Sequence, residues 1–397
     1  MSSEILIVSC VFDPEPVVSA SITKDLAHSL KFKENVTVIT PKPSRPYGFS
    51  FKEIDFQKVS SFKLLRLNSY TYPKKGIIGR MFESISFGFA SYKYIMKEHH
   101  DFRLVYMNTW PIFSQLGVVL ACNAKKIPYI VHIQDVYPES LTNRIHSNTL
   151  KSIINAILFP LEQKIIRDAK KVVAISNNMK KYLAKTRNVS LEKIDVVINW
   201  QDELMFNSYK DFWPCSKEKI TFMYLGNIGP VAGVDFLINA FAKSKIKATL
   251  IIAGSGSEKE KCIKKASEFY DADITFIDVP TGKVAETQAL AHVLLLPTKI
   301  NTGNNSIPSK LPAYMFSARP IIALTDKFSD IAQSIEKAEC GWVGPPEDEE
   351  WLIKCFKNLT ILDQNILKEK GQSGLRFAKQ VFSREKNLTH LVEIISK

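Results

Sequence analysis

One alternation runs through the chain twice: a short apolar run rich in β-branched residues, a polar turn, then a stretch with helical spacing. Residues 5–9 (ILIVS) end in the turn FDPEP, and 19–30 follow with Ile22, Leu26, Ala27 and Leu30 on one helical face. Residues 36–40 (VTVIT) then read as a second strand, completing a β-α-β unit whose crossover is expected to be right-handed. Strand candidates at 104–107, 129–132, 172–175 and 195–198, with a helix over 114–124, keep the same rhythm. A second series opens near Lys219, with strands at 220–225, 248–253, 274–277, 293–296 and 320–324 and a helix over 234–244. Two successive sets of alternating strands and helices predict an α/β fold of two doubly wound, Rossmann-like domains. The polar stretch 199–215, with Pro214 and no periodicity, marks the join. The expected domains are therefore 1–200 and 201–380, with 381–397 a terminal helix packing back on the first. The 397-residue length fits two cores better than one. Ligands of such sheets bind beyond the carboxyl ends of the strands, so facing domains would gather two ligands in one cleft.

Composition narrows the partners. Lys and Arg exceed Asp and Glu by 53 to 40, a formal charge of +13. That excess favours nucleic acid, an anionic membrane surface or a phosphorylated substrate. No recognised nucleic-acid motif accompanies it, so nucleic acid is not an expected partner. No apolar run reaches the ~18 to 20 residues of a membrane span, and the start MSSEILIVSC has no basic leader, so a cytoplasmic protein is expected. The six cysteines include no C-x-x-C pair, which argues against a zinc site or a disulfide framework.

Three stretches carry candidate chemistry. In 294–323, LLLPTKINTGNNSIPSKLPAYMFSARPIIA, a buried strand runs through a polar loop into a helix opening near Pro308. Ser309 and Lys310 would there offer amides, a hydroxyl and an ammonium to a diphosphate, whereas an isolated P-S-K is an ordinary capped helix. In 224–233, YLGNIGPVAG, Gly226 and Asn227 either let the backbone approach a phosphate or form a plain strand-to-helix turn. In 129–141, YIVHIQDVYPESL, His132 stands at a strand end with Asp135 and Glu139 beyond it. The histidine either bonds a sugar hydroxyl or is a satisfied structural residue; three ionisable groups in eight residues favour function. Between Tyr70 and Lys97 aromatic and basic residues interleave, among them Tyr72, Lys74, Lys75, Arg80, Phe82 and Phe89. Such a helix suits an anionic bilayer or a lipid-linked acceptor, or is a core helix with solvated lysines.

Together these segments resemble the family 4 glycosyltransferases of the GT-B fold, across nearly the whole chain. HIQDVYPE is similar to the H-x-Q-D-x-Y-P-E of enzymes that build capsule, O-antigen or colanic-acid repeats, including proposed N-acetylfucosamine transferases. FDPEP resembles the family's first-strand loop, VVINWQDELMF its hinge, YLGNIGPVAGVDFLINAF and IIAGSG the opening of its donor domain, and SIPSKLPAYMFSARPIIA its donor loop. The resemblance implies a retaining transfer, without metal or cofactor, of a sugar from a nucleotide diphosphate (uridine in most of the subgroup) to an undecaprenyl-diphosphate-linked glycan. It implies a peripheral protein on the inner face of the cell membrane. It places His132 against the transferred sugar, and Asp135 and Glu139, on their position beyond the strand end, complete the candidate catalytic set. Glu15, Gly226, Asn227, Gly254, Asn305, Ser306, Ser309 and Lys310 form the donor set, while the aromatic and basic stretch offers Tyr72, Lys74, Lys75 and Arg80 as the acceptor and membrane set. The chain departs from the pattern at Asn305 and Ala313, where many members carry glutamates, and at Asn227 and Ala232, where a basic pair is usual. Lys310 would then supply the charge. A nucleotide-sugar 2-epimerase of the same fold, or a non-catalytic basic protein on a membrane or polyanion, are the alternatives. Turnover without acceptor would mark the first and salt-sensitive polyanion binding the second.

Overall fold

A computed structural model describes the chain except residues 1–3, 46–61, 73–75, 109–110, 143–144, 146, 215–218, 281 and 299–306. The chain forms two compact units, Met1–Asn199 with Asn387–Lys397, and Trp200–Lys386. The first holds a parallel sheet of seven strands: β1 (Glu4–Ser9), β2 (Asn35–Thr40), β3 (Lys63–Arg66), β4 (Phe102–Asn108), β5 (Tyr129–Ile133), β6 (Lys171–Ala174) and β7 (Ile194–Val196). Their order is β3-β2-β1-β4-β5-β6-β7. The second holds six parallel strands: β8 (Ile220–Leu225), β9 (Ala248–Ala253), β10 (Ile274–Ile277), β11 (Val293–Pro297), β12 (Ile321–Leu324) and β13 (Gly341–Gly344), in the order β10-β9-β8-β11-β12-β13.

Both sheets reverse strand order beside their first strand, between β1 and β4 and between β8 and β11. Such switch points leave a crevice beyond the carboxyl ends of the strands. The central strands are buried nearly throughout, as expected of parallel strands covered on both faces. Leu6, Val8, Val105 and Val131 centre the first core, and Phe222, Tyr224, Leu250 and Leu295 the second.

Eleven of these strands fall where the apolar runs predict them. The four-residue strands β3 (KLLR) and β13 (GWVG) stand at sheet edges and have no signature of their own, which is why sequence reading passes over them. The helix expected to open near Pro308 spans only Lys310–Phe316, with Pro312 inside it. Seven residues support a weak dipole, so an anion there depends on side chains more than on the helix terminus. Among the described residues no helix is long and apolar enough to cross a membrane.

Candidate functional site

In the second unit the switch point is closed by Lys310. Its Nζ lies 2.6 Å from the hydroxyl of Tyr224, the penultimate residue of β8, and 4.2 Å above the centre of that ring. The Tyr224 hydroxyl in turn donates to the carbonyl of Asn227 (2.7 Å). Burial pushes the Tyr224 phenol above its ordinary range, so it remains a neutral hydroxyl that accepts from Lys310. Tyr314 closes the rear wall, its hydroxyl exchanging hydrogen bonds with both backbone groups of Leu225 (3.0 Å each).

Glycines make this convergence sterically feasible. Gly226 has φ +152° and a Cβ there would collide with the Lys310 side chain; Gly254 has φ +129° and a Cβ would strike the Gly226 carbonyl. Any side chain at either position would displace the lysine or separate the two loops. Backbone bonds from Gly226 N to the Ala253 carbonyl (2.9 Å) and from Ile228 N to the Ser255 carbonyl (2.8 Å) hold the loops together. Burial pushes the Lys310 ammonium down to about 8, and among the described residues no carboxylate forms an ion pair with it. A cation held over an open glycine loop, with no described carboxylate beside it, has the arrangement that an anion site calls for.

A neighbouring cavity of about 240 Å³ is lined by Gly233, Asp235, Asn239, Thr298 and Glu347. Its two carboxylates make it a poor diphosphate pocket. Ser309 precedes the helix in αR conformation without a side-chain cap bond. Asn305 and Ser306 lie outside the described residues.

In the first unit the three catalytic candidates occupy three different environments. His132, at the end of β5, is fully buried. Its Nδ1 is 2.6 Å from the Tyr106 hydroxyl and its Nε2 is 3.2 Å from Gln134 Nε2. Asn199 donates to Gln134 Oε1 (2.8 Å). In that amide orientation Gln134 donates to Nε2, which places the ring proton on Nδ1. Burial pushes the imidazole down to about 3, so it is neutral. Asp135 is exposed on the turn after β5. Glu139 is engaged by Arg187, whose Nη1 and Nη2 reach its two oxygens at 2.8 and 2.7 Å, and by the Tyr182 hydroxyl (2.8 Å). Burial alone would raise the Glu139 carboxyl, but Arg187 and Tyr182 outweigh it and hold it below the usual range. Arg187 is itself fully buried, pairs also with Glu162 and packs over the Phe159 ring. In the opposite sense, burial pushes Glu162 above its ordinary range despite Arg187.

Glu15 is likewise tied into the scaffold. It accepts backbone amides from Phe12 (3.0 Å), Ser44 (2.9 Å) and Arg45 (2.9 Å), stapling the loop after β1 to the loop after β2. Arg80 pairs with Glu83 (2.7 Å), which also takes Arg45 (2.9 Å) and the Tyr72 amide (3.2 Å). Tyr72 and Arg80 thus meet around one carboxylate, while Lys74 and Lys75 lie outside the described residues. The sequence reading missed Tyr224, Tyr106 and Arg187. Of these only Tyr224 had a local signal, since it adjoins the glycine loop.

The placement of His132 gives a first prediction. If a general base with the ordinary histidine range shaped the rate, His132→Gln would flatten the pH profile between about pH 5 and 8. A ring already neutral there predicts an unchanged profile shape, read from initial rates of donor consumption.

Comparison with known proteins agrees with the fold and extends it. The sequence profile described as Glycosyltransferase Family 4 matches residues 20–202, and that described as Glycosyl transferases group 1 matches residues 219–360. WbjE of Pseudomonas aeruginosa, described as a probable glycosyltransferase, is 24% identical over 280 residues, 66% of this chain and 68% of its own. Sucrose-phosphate synthase from Thermosynechococcus elongatus superposes with a TM-score of 0.76 at 14% identity, covering 99% of this chain and 98% of that one. HepE of Anabaena, solved with UDP and glucose, gives a TM-score of 0.70 at 15% identity and covers 99% of both chains. With one family profile on each unit and a parallel α/β sheet in each, the chain belongs to the family 4 glycosyltransferases of the GT-B fold.

Proposed function

We propose that the chain transfers a sugar, with retention at the anomeric carbon, from a UDP-linked donor to a lipid-linked glycan of a surface polysaccharide at the cytoplasmic face of the membrane. The donor sugar is proposed to be N-acetylfucosamine or another N-acetylhexosamine, on the likeness of the HIQDVYPE segment to that subgroup. The observation that carries the reading is the Lys310 ammonium, held over the Gly226 loop by Tyr224 without an ion-pair partner among the described residues. The UDP complex of HepE supports uridine as the base. In the proposed step the bond from the anomeric carbon to the diphosphate breaks while the acceptor hydroxyl oxygen bonds to that carbon on the same face. The hydroxyl proton passes to a diphosphate oxygen, and UDP departs. Lys310 bears on the charge that develops on the leaving group, in the place a divalent cation would take.

The test is a transfer assay with UDP-N-acetylhexosamines and a polyprenyl-diphosphate-linked sugar, run with chelator and read by NMR of the product anomer. The expected product keeps the donor's configuration, and the rate is insensitive to chelator. An inverted anomer would overturn the mechanism. Consumption of donor without acceptor would favour the epimerase instead.

A further inference from the structure

The outer layer of the first unit carries an apolar surface that the transfer chemistry does not use. Helix Ile77–Glu98 packs on helix Ile112–Lys125, which packs in turn on helix Asn148–Asp168. At the first crossing a Cβ on Gly88 would collide with the Phe113 carbonyl, and one on Gly117 with the Gly88 carbonyl, so the two backbones touch there. The buried side of Ile77–Glu98 carries Ser84, Phe87, Ser91 and Ile95. Its opposite side carries Ile78, Met81, Phe82, Ile85 and Phe89, all exposed, at the spacing of a single helical stripe. Phe82, Ile85 and Phe89 line, with Tyr70, an almost wholly apolar groove of about 470 Å³. Leu120 is exposed on the middle helix, and Leu150, Ile153 and Ile157 are exposed on the third. Scattered exposed apolar residues need no explanation, but a series of them on three adjacent helices does.

The charges on these helices identify the occupant. Glu83 and Glu162 are buried in ion pairs with arginines. Glu98 and Asp168, at the helix ends, pair with Lys97 and Lys164. Beyond the partners of these acids, Lys93, Lys125, Lys151 and Arg167 leave the layer basic, and Lys93 sits over the Phe89 ring (4.4 Å). Two copies of such a face would bring like charges together, whereas an anionic bilayer answers both the apolar stripes and the lysines.

We infer that the outer faces of helices Ile77–Glu98, Ile112–Lys125 and Asn148–Asp168 form the surface that rests on an anionic phospholipid bilayer, with Phe82, Phe89, Ile153 and Ile157 entering its interface. The inference deepens the membrane part of the proposed function, and its assay contains neither donor nor acceptor, so each can fail alone.

The experiment is flotation of the full chain with vesicles of phosphatidylglycerol and phosphatidylethanolamine, and with phosphatidylcholine vesicles as control. Wild type is expected to float with the anionic vesicles and to be released by salt. The double variants Phe82→Glu/Phe89→Glu and Ile153→Glu/Ile157→Glu are each expected to lose at least about tenfold in partitioning. Because the substituted positions are exposed, the melting temperature should hold. Wild-type partitioning by either variant would overturn the assignment, as would a wild type that ignores anionic vesicles. Light scattering showing a dimer that the same substitutions split would overturn it in favour of a second copy. Turnover of a short-chain, water-soluble acceptor by the variants tests the acceptor reading separately.

Discussion

Lys310→Ala is expected to weaken UDP binding by about tenfold to a hundredfold, the worth of one charge-assisted contact to a diphosphate. The side chain is already desolvated in the free protein and held in place by Tyr224, so little ordering remains to be done on binding. Arginine at the same position should not rescue, because the lysine stem already lies where even a Gly226 Cβ would collide with it and a planar guanidinium is broader than an ammonium. The lysine also sets a pH dependence with a definite sign. Burial pushes its ammonium down to about 8, so below that pH the charge is present and UDP affinity is flat. Above it the free protein loses the proton that the bound diphosphate favours, and affinity falls by up to about tenfold per pH unit. Calorimetry at a series of pH values reads both effects, and in the alanine variant the alkaline fall should vanish.

The second large effect concerns stability. Arg187→Leu is expected to cost about 3 to 5 kcal/mol, because buried Glu162 and half-buried Glu139 would both lose their cation. Urea unfolding followed by circular dichroism measures it. Glu139→Gln should cost less, about 1 to 2 kcal/mol, since Glu162 still pairs with Arg187. Turnover per folded molecule in that variant should stay near wild type if the carboxylate serves the scaffold. A collapse of turnover with unchanged stability would instead return Glu139 to the chemistry.

Much of the fold was legible because parallel strands buried on both faces must be almost continuous apolar runs, and ILIVS, VTVIT and ATLIIA are such runs. The edge strands KLLR and GWVG were not, since their basic or glycine ends leave only an apolar pair, whereas the equally short edge strand ITFI is β-branched and aromatic throughout. At the site, the glycine loop and P-S-K could be read as phosphate-facing, but not that Lys310 reaches across 86 residues to Tyr224. Nor could spacing show that His132 is closed in by Tyr106 and Gln134, or that Glu139 pairs with an arginine 48 residues later. The sequence reading passed over NTLKSIINAILFP, and periodicity, which marks an apolar face but not whether anything covers it, would not have shown that its Leu150, Ile153 and Ile157 stand exposed.

The most direct test of the account is a calorimetric titration of the purified protein with UDP, GDP, dTDP and ADP. The account predicts one molecule of UDP bound per chain, more tightly than the other three, with affinity reduced in Lys310→Ala. Failure of every nucleotide to bind would contradict it and bring forward a basic membrane-binding protein without transferase activity.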